Sequence, residues 1–266
     1  VSFLFLKKKQ KKKKMKEQLE GAIALIKTLD IEGCITGSAL LDYFPDSKQD
    51  VDVFVYSEAA FTKLLYTLKF NPMFLVVDKL EQWKMEDWCN SSYKGSIKKL
   101  GIVTIKFMYN MSIEVNIIYK EKNHSIFDVL SAFDLDIIAK GYDLKSKKVL
   151  DLSENNGTKK CTWNKWNKAF YSVNIWAVSR IMRQFERIVK YHNRGYDTDE
   201  VALKYKEILN GMLEYENIFD SQKVDEKVTS VKTNSKILIK IIDNWLEHHK
   251  ISETELELLR TTIKLL

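Results

Sequence analysis

Asp50 and Asp52 stand one residue apart in Asp50-Val51-Asp52-Val53, a short way after the pair Gly37-Ser38. Side chains alternate across a strand, so the spacing predicts both carboxylates on one face and Val51 and Val53 on the other, toward a core. Like charges held side by side repel, and a fold tolerates them chiefly where a cation lies between them. Hard carboxylate oxygens suit Mg²⁺, which keeps waters and a substrate's phosphates as its remaining ligands. Gly37-Ser38 ends the apolar stretch Cys34-Ile35-Thr36 and opens a helical run from Ala39 to Phe44. Backbone N–H groups at such a helix start, unobstructed by a Cβ at Gly37, form a natural seat for phosphate.

Periodicity predicts the elements that must hold these residues. A helix is expected from Lys16 to Leu29 with Leu19, Ile23 and Ile26 on one face, then strands at Cys34–Thr36 and Val51–Tyr56. Ser57 is placed to cap a helix running to about Phe70. A short strand at Met73–Val77 and a polar, irregular stretch over 78–98 follow. Ile102–Tyr109 and Ser112–Tyr119 alternate like paired strands, Ser125–Phe133 reads as a short helix, and Asp136–Tyr142 with Lys148–Leu152 reads as a second hairpin. From Trp163 onward the period is helical: Trp163–Arg194, Thr198–Phe219, Ser235–His248 and Ser252–Leu265. The expected fold class is α+β followed by an all-helical C-terminal module, with the boundary at residues 153–157.

The order apolar strand, Gly-Ser, then Asp-Val-Asp-Val resembles the signature of the polymerase beta-like nucleotidyltransferase superfamily over roughly the first half of the chain. Further strings resemble a viral and phage branch of that superfamily: Val115-Asn116-Ile117-Ile118, Phe133-Asp134-Leu135-Asp136, Gly141-Tyr142-Asp143, and Arg187 to Gly195 with its Arg-x-x-Lys-Tyr-x-x-Arg-Gly spacing. The resemblance implies a mixed nucleotidyltransferase-type sheet with helices, a catalytic domain over 15–155 and a helical domain over 156–266. CCA-adding and bacterial poly(A) enzymes follow Gly-Gly with an Arg-Asp element, where this chain has Ala39-Leu40-Leu41-Asp42.

Two-metal nucleotidyl transfer needs ligands shared by both ions and a further ligand for the catalytic ion alone. The resemblance implies Asp50 and Asp52 as the shared pair and a third acid on a later strand. Glu114 is the best match, because Ile113, Val115 and Ile117 form an apolar face and leave Glu114 and Asn116 on the other. Asp134 is the alternative third acid, and alignment on Asn116 would leave that position without an acid. The bland reading of Glu114 is an ordinary exposed strand residue.

Arg180, Arg183, Arg187, Lys190 and Arg194 recur at intervals of three and four residues, which places them on one helix face. Stacked like charges favour a polyanion opposite, such as a triphosphate or an RNA backbone. With Gly37 and Ser38, the residues Arg183, Arg187 and Lys190 are the expected nucleotide ligands. The competing reading is a solvated face partly paired with Glu186, Asp197 and Glu200. Trp163 and Trp166 could stack a base, although aromatics at helical spacing are more often core. The four histidines show no triad or ligand spacing.

The 266 residues carry 43 Lys and Arg against 36 Asp and Glu, a net charge of +7. Residues 7–14 hold seven lysines and no acid. With those set aside the rest of the chain is neutral, which weakens composition as a sign of nucleic-acid binding. Residues 1–14 read as a disordered Lys-rich tail, or as an extension ahead of Met15 outside the native protein. Three widely spaced cysteines, Cys34, Cys89 and Cys161, suggest reduced thiols in a cytoplasmic setting. No apolar stretch has the length of a membrane span. The expected function is Mg²⁺-dependent transfer of a nucleoside monophosphate from an NTP, through two ions replaceable by Mn²⁺, with pyrophosphate release. The acceptor is an RNA 3′ end by preference, otherwise tRNA or a protein hydroxyl. The alternative is a catalytically inactive protein of the same fold that binds RNA or acts as an antitoxin-like partner.

Overall fold

The computed structural model describes residues 2–41, 49–70, 75–76, 97–107, 111–154, 158–167, 176–215, 226–255 and 257. It is α+β, with a mixed sheet, flanking helices and a helical C-terminal part. The expected strand residues Met73, Phe74 and Val77, the polar stretch up to residue 96, Cys89 and the end of the last helix lie outside the described residues. Among the described residues no helix is long and apolar enough to cross a membrane.

Two compact units divide the chain: residues 1–133 with 138–153, and residues 134–137 with 154–266. The short excursion at Asp134–Ile137 explains why the boundary is not a single cut. Leu135 bridges to Trp163, the Asp136 N–H donates to the Thr162 carbonyl at 3.0 Å, and the Thr162 N–H donates to Asp136 Oδ1 at 2.7 Å.

In the first unit α1 (Ser2–Lys27) precedes β1 (Gly33–Thr36), and a 3₁₀ turn at Gly37–Leu40 leads toward β2 (Val51–Val55). Then come α2 (Glu58–Phe70), β3 (Leu75–Val76), β4 (Lys99–Phe107), β5 (Met111–Tyr119), α3 (Ile126–Ser131), β6 (Lys140–Asp143) and β7 (Val149–Asp151). Strand order is β3-β4-β5-β2-β1-β6-β7, with β2 and β5 parallel and every other pair antiparallel. Val51, Val53 and Val55 of β2 and Val115 and Ile117 of β5 are fully buried on one face, packed with Leu19, Ala22 and Ile26 of α1 and Leu64 and Leu68 of α2. On the other face Cys34 and Phe54 pack against Val129 of α3, with Ile118 and Phe133 beside them. Alternation thus supplies a strong core on one side and leaves the α3 side open to polar residues near the start of β2 and the middle of β5.

Local capping agrees with the sequence. Ser57 Oγ accepts the Ala60 N–H at 3.1 Å, and Ser125 Oγ accepts the Asp128 N–H at 3.2 Å. Three expectations need correction. The first helix runs back to Ser2, so the lysine run is helical: it holds no Gly or Pro, and Lys13–Glu17 and Lys16–Glu20 pair at i,i+4 farther along. Asp136–Ile138 is a 3₁₀ turn, and the strand begins at Lys140. Trp163 is not helical; Asn164 Oδ1 accepts the Trp166 N–H at 3.2 Å, a side-chain turn that competes with helix, and residues 168–175 lie outside the described residues.

The second unit holds α4 (Trp176–His192), α5 (Asp199–Tyr215) and α6 (Glu226–His248). Ile181, Phe185 and Ile188 of α4, Tyr205 and Leu209 of α5, and Leu238, Ile242 and Trp245 of α6 are buried in it. Phe185 meets Trp245 edge to face at 5.9 Å.

Candidate functional site

The Gly37 turn and the carboxylates lie together because β1 and β2 pair antiparallel, with Thr36 opposite Asp52. Gly37 follows at φ +81°, a left-handed conformation that L side chains avoid. A Cβ there would stand 2.8 Å from Asp52 Oδ2, so glycine also makes room for the carboxylate. Gln49, almost fully buried, donates from Nε2 to the Ser38 carbonyl at 3.1 Å and ties the turn to the residue just before Asp50. Thr36 Oγ1 donates to the Lys140 carbonyl at 2.9 Å and fixes the other side of the turn. Ser38 is half-buried; Asp42, Tyr43 and Phe44, expected to continue the helical run, lie outside the described residues.

The parallel ladder places Asn116 of β5 directly beside Asp52. Asn116 Nδ2 donates to Asp50 Oδ2 at 2.8 Å and to Asp52 Oδ1 at 2.9 Å. Ionised carboxylates only accept, so the amide must turn its NH₂ toward them. One neutral group with two N–H bonds therefore holds together two like charges that would otherwise repel. Asp50, Asp52 and Asn116 are all half-buried, within reach of both protein donors and solvent.

Glu114 is the acid expected to join this pair. Among the described residues no three His, Cys, Asp or Glu side chains gather as a metal-holding group. Glu114 shares the sheet face with Asn116 but sits two residues back along β5, about 7 Å at the strand rise, opposite Thr104 of β4. The residue level with Asp52 is an amide.

Asp134 and Arg187 both belong to the second unit and pair with each other. Arg187 Nη1 lies 2.8 Å from Asp134 Oδ1 and 3.0 Å from Oδ2; Asp134 is 3% exposed and Arg187 32%. The Asp134 backbone carbonyl accepts the Asn164 N–H at 2.9 Å. A buried carboxylate held this way has a structural task, and the Arg187 guanidinium is the cation that meets it. Lys190 is exposed, with Nζ 5.9 Å from the Tyr191 ring centre, and Arg194 lies over the same ring at 5.4 Å. The side chains of Arg180 and Arg183 lie outside the described residues. Glu200, a candidate partner of the basic stripe, pairs with Lys160 at 2.8 Å instead.

The end of α4 accounts for the rest of the Arg187–Tyr196 string. The Gly195 N–H donates to the His192 carbonyl at 2.8 Å and the Tyr196 N–H to the Tyr191 carbonyl at 3.1 Å. With Gly195 at φ +84° this is a Schellman cap, and the Tyr191 and Tyr196 rings meet edge to face at 5.9 Å across it.

Away from the carboxylates, burial pushes the Cys34 thiol up to about 12 despite a hydrogen bond with Tyr56. The Tyr56 hydroxyl donates to Asp143 Oδ2 at 2.8 Å. Burial alone would raise the Asp143 carboxyl, but N–H groups of Ser146 and Lys145 and the Tyr56 hydroxyl hold it below its ordinary range. These three groups serve the fold.

Sequence reasoning missed Gln49 as the link between turn and acids; its signal was a glutamine directly before Asp50 in an otherwise polar loop. No family model, no curated protein and no solved structure matches this chain.

Proposed function

We propose that the first unit is a Mg²⁺-dependent nucleotidyltransferase domain of the polymerase beta-like type, acting on an NTP with an RNA 3′ end as the favoured acceptor. The observation that carries this reading is the convergence of Asp50 and Asp52 on one Asn116 amide, against a left-handed Gly37 turn that leaves no room for a Cβ. The donor set of two carboxylates and an amide oxygen is hard and suits Mg²⁺, with Mn²⁺ as a substitute. Bound there, the ion would orient the α-phosphate for in-line attack and offset charge on the departing pyrophosphate. The chain's own contribution is positional. Gln49 and Thr36 fix the Gly37-Ser38 turn, whose N–H groups serve as the phosphate seat, and the β2–β5 ladder fixes the carboxylates.

Arg187 is left out of the nucleotide ligands because Asp134 engages it. An inactive protein of the same fold, binding nucleotide or RNA without turnover, is the second reading, and Asn116 in place of an acid favours it.

The test incubates the full chain with labelled NTPs, Mg²⁺ and RNA, tRNA or protein acceptors, and measures pyrophosphate release. Asp50→Ala combined with Asp52→Ala should abolish release while the chain stays folded, because relief of the repulsion between the acids offsets part of the two Asn116 bonds lost. Turnover retained in that double variant would overturn the assignment. Mg²⁺-dependent NTP binding without turnover in the wild type would select the inactive reading.

A further inference from the structure

We propose that the exposed face of α2 is a platform for single-stranded RNA, the strand whose 3′ end reaches the carboxylates. The inference rests on the nucleotidyl-transfer reading and deepens it by assigning a surface to the acceptor. Tyr66 and Phe70 stand one helical turn apart, 57% and 67% exposed, with rings nearly parallel (9°) and centres 5.8 Å apart. Adjacent large aromatics left in water mark a contact surface more strongly than scattered ones do. Their surroundings select the partner. Lys69 Nζ lies 5.6 Å from the Phe70 ring centre. Lys63, on the same exposed face, donates to the Asp30 carbonyl at 2.7 Å. Beyond Glu58, which pairs with Lys99, α2 has no acidic residue. Open ring faces beside cations suit a strand of bases and phosphates, because stacking accepts any base and lysine meets the backbone. An apolar protein partner would leave the lysines without a counter-charge.

The platform shares one end of the sheet with the acids. Only Tyr56 and Ser57 separate β2 from α2, so the helix runs back along the strand toward its start. Phe61 and Leu65 cover Gly101, which pairs with Ile117, and Ile117 is level with Val53. Phe70 lies about 7.5 Å past Leu65 along the helix, and Asp50 about 10 Å before Val53 along the strand. One lies over the apolar face and the other on the opposite face. From the outer side of α2 to the acids is about 15 Å, one layer spacing plus a helix radius, which is about five nucleotides of strand.

The experiment follows a fluorescein-labelled single-stranded RNA of about twelve nucleotides by anisotropy as full-length chain is added. Tyr66→Leu combined with Phe70→Leu keeps the apolar area and a good helix former but removes the ring faces. It should weaken RNA binding about tenfold or more, the loss expected when a stacked base is given up. Lys69→Gln should lower the slope of log affinity against log salt by about 0.7, the value for one phosphate contact on a single strand. A trinucleotide, too short to span from the acids to α2, should bind wild type and the double Leu variant alike. Mg²⁺-dependent NTP binding by the wild type tests the transfer reading separately. Wild-type affinity for the longer RNA in the double Leu variant would overturn the platform while the transfer reading stands on NTP binding. A concentration-dependent dimer, seen by sedimentation and lost in that variant, would assign the face to a second copy of the chain and overturn it as well. RNA bound through Tyr66 and Phe70 by a chain that binds no NTP would keep the platform and remove the transfer reading.

Discussion

Gly37→Ala adds a single methyl group at the point where backbone conformation and the Asp52 carboxylate compete for the same space. Two costs arise, and the chain supplies a control that separates them. Gly37 and Gly195 have nearly the same backbone angle, φ +81° and +84°, but a Cβ at Gly195 meets nothing within 4 Å. Gly195→Ala therefore carries the left-handed penalty alone, about 1–2 kcal/mol. At Gly37 the new Cβ lies 2.8 Å from Asp52 Oδ2 and forces the carboxylate back by about half an ångström to reach ordinary contact. That movement strains the 2.9 Å bond from Asn116, one of the charge-assisted kind worth about 1.5–3 kcal/mol. Gly37→Ala should then cost about 2–4 kcal/mol, clearly more than its control. Hydrogen exchange reads the two units separately: protection should fall by that amount at β1 and β2 amides in Gly37→Ala, and by the smaller amount at the end of α4 in Gly195→Ala. Mn²⁺ affinity should weaken about tenfold in Gly37→Ala and stay at the wild-type value in Gly195→Ala. Equal stability costs in the two variants, with wild-type Mn²⁺ binding in Gly37→Ala, would refute the claim that this turn is built against Asp52.

Arg187→Ala strands the Asp134 carboxylate at 3% exposure and should cost about 3 kcal/mol, the lower end for a broken buried pair because Arg187 itself is partly exposed. Urea denaturation should show Asp134→Asn recovering part of that loss in the double variant; unchanged stability with weakened NTP binding would instead return Arg187 to a phosphate role. The Cys34 thiol, pushed up to about 12 by burial and fully enclosed, should resist alkylation at pH 8 in the native chain and react once urea unfolds it. Peptide mapping checks this, and labelling at the rate of a free thiol would refute the packing of Cys34 against Phe54 and Val129.

Much of the first unit was legible because alternation and capping are local. Val51 and Val53 facing the core, Asp50 and Asp52 facing away, and the Ser57 cap all follow from neighbours in sequence. The choice between Glu114 and Asn116 was not legible. Both lie on the same face of β5, and only pairing with β2 decides which stands level with Asp52. Register is a property of two strands at once, and a shift of two residues preserves every inward and outward assignment. The partner of Arg187 was hidden for a similar reason: the candidate acids Glu186, Asp197 and Glu200 are its neighbours in sequence, whereas Asp134 lies 53 residues earlier. Trp163 failed differently, since helical period over its neighbourhood was overruled by the Asn164 side-chain turn.

Two of the strings that carried the resemblance now separate by what their residues do. In the second unit, Arg187 is tied to Asp134, Tyr191 packs on Tyr196, and Gly195 closes α4 as its left-handed cap. Each of those residues has a task in holding a helix and its end, and a chain would keep them for that reason without any substrate. In the first unit the balance runs the other way. Asp50 and Asp52 sit half-buried, side by side, where two apolar or hydroxyl residues would serve the sheet at lower electrostatic cost. Gln49 and Asn116 are spent on holding that costly pair and its turn in place. Residues that stabilise an arrangement unfavourable to the fold point to chemistry more strongly than residues that stabilise the fold itself. A functional assignment for this chain therefore rests on Gly37, Asp50, Asp52 and Asn116.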